Sequence, residues 1–89
     1  MTKKAPRPEN NRRREDNERT LMLINDDINS FDHVIKSLVD VCGHDKIQAE
    51  QCAVLTHIKG GCIIKIADPA TLEKMSAELR ELCLDTVVI

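Results

Sequence analysis

The chain has no tryptophan and no tyrosine, and Phe31 is its single aromatic residue. Binders of single-stranded nucleic acid stack bases on aromatic side chains set in a basic groove. Neither feature is present in the part of this chain that can fold: residues 20–89 hold six Lys or Arg against eleven Asp or Glu, a net charge of −5. The basic excess lies in residues 1–19, with seven Lys or Arg against four Asp or Glu. No nucleic-acid partner is therefore expected. No apolar run approaches the roughly 20 residues that cross a bilayer, and the N-terminus is too charged for a signal peptide. The expectation is a cytoplasmic protein with no membrane partner.

Motifs of catalysis are also missing. There is no glycine-rich phosphate loop, no nucleophile elbow, no H-E-x-x-H and no evident carboxylate pair. Non-enzymatic function is expected. Cys42, Cys52, Cys62 and Cys83 include no C-x-x-C pair, the spacing that sets two thiolates on one ion. They are expected to be reduced, mostly core residues, and no cofactor or metal is expected. The competing reading is a metal or redox protein that uses these cysteines with His33, His44 or His57.

What is present is a small α+β domain behind a tail. Residues 1–19 lack apolar periodicity and contain Pro6, Pro8 and the run Arg12, Arg13, Arg14, so they are expected to be a flexible tail, with residues 20–89 forming one domain. Thr20 to Ile24 reads as a buried strand, ended by the turn-formers Asn25, Asp26 and Asp27. Asn29 is placed to cap a first helix, with Phe31, Val34, Ile35, Leu38 and Val41 or Cys42 on its apolar face and Gly43 as its left-handed stop. Asp45 opens a second helix with Gln48 at the capping-box position, and Ile47, Ala49, Cys52, Ala53 and Thr56 form a weaker apolar face. Gly60 and Gly61 end it. Cys62 to Ala67 reads as a strand, Asp68 and Pro69 start a third helix striped by Leu72, Met75, Leu79 and Leu82, and Thr86 to Ile89 reads as a final strand. The order β-α-α-β-α-β implies a three-stranded antiparallel sheet with three helices on one side.

The run L-I-N-D-D from Leu23, then Phe31 and Val34, Gly43-His44-Asp45, Ala49 to His57 with Gln51 between, and Gly60 together resemble the ClpS adaptor family across most of residues 20–89. That resemblance implies a monomeric adaptor that grips N-degrons, the destabilising N-terminal residues of substrate proteins. It would pass those substrates to a ClpA- or ClpC-like AAA+ unfoldase with ClpP. It assigns Asn25, Asp26 and His57 to the substrate's α-amino group and Asp27 to the loop. Asn29, Phe31, Val34 and Ala53 would line the hydrophobic pocket, with Thr86 near its rim. Lys74 would contact the unfoldase, with Asp68 a displaced substitute for the family's acidic residue. The chain departs from the family at Asn29, Ser30, Phe31 and Ala53, where Thr, Pro, Met and Met are common, so the ranking of side chains in the pocket is its own. The alternative is an interaction module of the same fold, similar to the C-terminal domain of the ribosomal stalk protein, that docks on an unfoldase or the ribosome without binding N-degrons.

Overall fold

The computed structural model describes residues 17–24 and 28–89. The expected flexible tail lies, up to residue 16, outside the described residues, as do Asn25, Asp26 and Asp27. The elements follow the predicted order: β1 (Arg19–Ile24), α1 (Phe31–Cys42), α2 (Lys46–Lys59), β2 (Gly61–Ala67), α3 (Pro69–Glu81) and β3 (Thr86–Val88). The sheet is antiparallel in the order β2-β1-β3. Its first strand is the central one, so everything downstream must fold back onto it.

Alternation along β1 sends Leu21 and Leu23 under the helices and leaves Met22 and Ile24 half-covered on the far face. Strand β2 carries one residue too many for a regular ladder. Lys65 pairs with Leu21 and Ile63 with Met22, so Ile64 bulges between them. The bulge turns Ile64 into the core at 7% exposure while Ile63 and Ile66 face outward. The backbone of Thr20 exchanges two hydrogen bonds with Ile89 at 2.8 Å, which carries the pairing with the last strand one residue past β3.

Among the described residues, Leu21, Leu23, Leu38, Leu72, Leu79 and Leu84 are the largest fully buried side chains. Each removes enough apolar surface from water to contribute about 1.5–3 kcal/mol; two come from β1, one from α1, two from α3 and one from the segment that follows α3. Helix α1 buries Leu38 with Val34, Ile35 and Val39 against this cluster. Helix α2 buries smaller groups, Ala49, Cys52, Ala53 and Thr56, which lets it approach the sheet closely.

Two local expectations are corrected. Ser30, not Asn29, caps α1: its hydroxyl accepts from the His33 N–H at 3.1 Å. Asn29 is drawn elsewhere, its Nδ2 donating to the Cys83 carbonyl at 2.8 Å. Ile47 is 68% exposed and lies off the buried face of α2, because the capping box of Asp45 and Gln48 sets the helix start so that Ala49, not Ile47, points inward. The helix stops are as expected, with Gly43 at φ 72° and Gly60 at φ 91°, conformations that a Cβ would strain. Among the described residues no helix is long and apolar enough to cross a membrane.

Candidate functional site

The start of α1 and the end of α2 meet. His57, in the last turn of α2, is exposed, and its ring lies 5.6 Å from that of Phe31, the first residue of α1, with the planes at 87°. Edge-to-face aromatic pairs of this geometry contribute about 0.5–1.5 kcal/mol beyond area burial. Ala53 lies one turn before His57 on the same helix and is 3% exposed. Val34 lies one turn after Phe31, half-buried and packed on the core. Two helices thus bring together four of the residues singled out in the sequence.

The first turn of α1 is held in place from the other end of the chain. Asn29 binds the Cys83 carbonyl, and His33 Nε2 lies 2.7 Å from the Leu82 carbonyl. A carbonyl can only accept, so Nε2 carries the proton. The sequence did not signal this brace, since 49 residues separate His33 from Leu82 and no local pattern links them. The third histidine is also structural: His44 Nε2 donates to the Ile64 carbonyl at 3.1 Å, and its Nδ1 is buried without a partner.

Thr86 stands apart from the Phe31 and His57 pair. It is buried beneath α3, its hydroxyl 2.6 Å from that of Ser76, and it lines a groove between α3 and β3 with Glu73, Ala77 and Arg80. Lys74 is exposed on α3, beside a shallow cavity of about 230 Å³ lined also by Val41, Thr71, Met75 and Glu78. Asp68 is engaged at the start of the same helix. Its carboxylate accepts from the Thr71 N–H at 3.0 Å and from the Thr71 hydroxyl at 2.6 Å. The hydroxyl bond, followed by the backbone bond, holds its carboxyl below the usual value. Asp68 is a helix cap.

The cysteines are free thiols, and among the described residues no group of three or more Cys, His, Asp or Glu could hold a metal ion. Burial pushes the Cys42 thiol up to about 11 and the Cys52 thiol to about 12, the neighbouring Cys62 thiol adding to the latter.

The sheet topology, the covering helices and the pairing of α1 with α2 define a small α+β domain with three helices packed on a three-stranded antiparallel sheet. Residues 14–84 match the family of the ATP-dependent Clp protease adaptor protein ClpS, and the chain belongs to that family. It is an adaptor of Clp protease. The solved structure of Agrobacterium tumefaciens ClpS2 bound to L-phenylalaninamide shares the fold, with a TM-score of 0.79 over 82% of this chain and 95% of that one at 18% identity. Comparison with curated proteins gives no match.

Proposed function

We propose that this adaptor recognises N-degrons and delivers the proteins that carry them to a Clp AAA+ unfoldase, in the cytoplasm and as a monomer. A protonated α-amino group offers three donors and a charge. In this reading an amide oxygen from Asn25, a carboxylate from Asp26 and a ring nitrogen from His57 accept from it together, while Asp27 shapes the loop. The first side chain of the substrate then lies against Phe31, Val34 and Ala53, with Asn29 at the edge of the pocket. Thr86, tied to Ser76, contributes through the sheet beneath and not by contact.

The observation that carries the reading is the meeting of His57 with Phe31, which sets a ring nitrogen beside apolar surface at the junction of two helices. Family membership supports it, as does the related fold that binds L-phenylalaninamide, a free amine with a benzyl side chain. Lys74 is proposed to meet the unfoldase, and residues 1–19 to be engaged by it during delivery. Asp68, the cap of α3, is proposed to stand beside it in that contact.

Isothermal titration of short peptides beginning with Phe, Leu, Met or Gly tests the reading. Peptides beginning with Phe and Leu are expected to bind, Gly to fail, and His57→Ala to lower affinity about tenfold or more, the equivalent of one lost charge-assisted hydrogen bond. Absence of binding by all four, with unfoldase association intact, would favour the interaction-module alternative.

A further inference from the structure

Strand β3 is an edge of the sheet, with β1 on one side and, among the described residues, no strand on the other. Its register with β1 is regular. At the two ends of that ladder Ile24 donates to the Asp85 carbonyl at 2.9 Å, and Thr20 exchanges two bonds with Ile89 at 2.8 Å. Antiparallel alternation then turns the main-chain groups of Val87 toward β1 and those of Thr86 and Val88 away from it. Thr86 and Val88 line a groove of about 500 Å³ between β3 and α3, so their N–H and C=O groups face a space that another strand can enter. Thr86, Val87 and Val88 include no charge and no proline, the residues that blunt such an edge.

The groove also carries charge, in a definite order. The Ser76 hydroxyl lies 2.6 Å from that of Thr86, and the segment 82–85 reverses the chain between α3 and β3. Arg80, one turn after Ser76, therefore lies toward the start of β3, and Glu73, about one turn before, lies toward its end. An antiparallel neighbour brings its own end to the start of β3. When that neighbour is β3 of a second copy, its Glu73 comes with it and meets Arg80.

We propose that two copies of this chain pair through β3, edge to edge about a two-fold axis at Val87, into one continuous sheet. Thr86 of each copy exchanges backbone bonds with Val88 of the other, and Arg80 of each faces Glu73 of the other. A two-fold contact has to be self-complementary, and this edge is so in both backbone and charge. Phe31, Val34, Ala53 and His57 line no part of the groove, so the pair leaves the proposed substrate pocket open. With β3 only three residues long, the contact falls in the class below about 1,200 Å² that gives weak, reversible association. The monomer proposed for delivery and the pair are then one population divided by concentration.

Sedimentation equilibrium of the full chain in reducing buffer, from about 10 μM to about 1 mM, reads dissociation constants of that order and is expected to show a monomer–dimer equilibrium. Arg80→Glu and Glu73→Arg each set like charges opposite one another and should weaken it about tenfold or more. The double exchange of Glu73→Arg with Arg80→Glu keeps the net charge and should restore association, as should an equimolar mixture of the two single variants. Urea midpoints check that each variant is folded. In the unaltered chain, amide exchange followed by NMR should slow at Thr86 and Val88 as the concentration rises. A monomer throughout the range would overturn the proposal. So would a dimer that the single reversals leave unchanged, that the double exchange fails to restore, or in which Thr86 and Val88 exchange as they do in the monomer.

Discussion

A bulged residue leaves a carbonyl without a ladder partner, and the fold has to supply one from elsewhere. Ile64 is that residue, and His44 from the turn between α1 and α2 is what reaches it. His44→Ala is therefore expected to destabilise the domain by about 1–3 kcal/mol, the cost of an unsatisfied buried group, as measured by urea unfolding. The thiols make a second residue-scale prediction. Cys42 and Cys52 hold their protons in the folded state up to about 11 and 12, whereas the unfolded chain releases them near the ordinary value of 9.0. The unfolded state thus binds fewer protons above that value. The stability these groups contribute is complete below pH 9.0 and is lost as the pH rises toward 11 and 12. Cys42→Ala should flatten the alkaline fall in a pH series of urea midpoints, and with no tyrosine in the chain no phenol titration overlies it. Residue identity alone takes the reading part of the way. The sequence names both Phe31 and His57, but their edge-to-face contact depends on the angle between two helices, which no local pattern encodes.

At the scale of elements, the helix ends were the most legible feature, because caps are chemistry between near neighbours. The Asp45 and Gln48 box, the two left-handed glycines and Asp68 with Pro69 all stand where their residue types imply. Asp45→Ala should cost about 1 kcal/mol, seen as a fall of roughly 4–8 °C in melting temperature for a domain of this size. The cap of α1 was one residue off for a physical reason. Asn29 and Ser30 are both good caps, and the tertiary bond from Asn29 to Cys83 decides which is free for the role. The bulge in β2 was illegible, since three isoleucines in four residues suit a regular strand equally well. Helix α3 adds an acid-side prediction. The Asp68 carboxyl is held low chiefly by the Thr71 hydroxyl. The folded state keeps it ionised further into acid than the unfolded chain does, so its contribution is present at neutral pH and is lost as pH falls through the lowered value. Thr71→Val should reduce that acid sensitivity in thermal melts taken between about pH 5 and pH 2.

For the whole molecule, the periodicities of 3.6 and 2 and the turn-formers between them were sufficient for element order and class, because each buried leucine stripe demands a facing layer. The ties that lock the layers join residues far apart in sequence, His33 to Leu82, Asn29 to Cys83 and Ser76 to Thr86, and only folding reveals them. They also explain why Thr86, expected near the rim of the pocket, is held under α3. The recognition account places one demand on the molecule as a whole: the loop after β1 and the end of α2 must share a single charged guest. The most direct test is titration of the full chain with a peptide beginning with Phe and with its Nα-acetylated copy, which keeps the side chain and removes the charge and two donors. The account predicts at least a tenfold loss on acetylation. Equal affinity for the two peptides would contradict it.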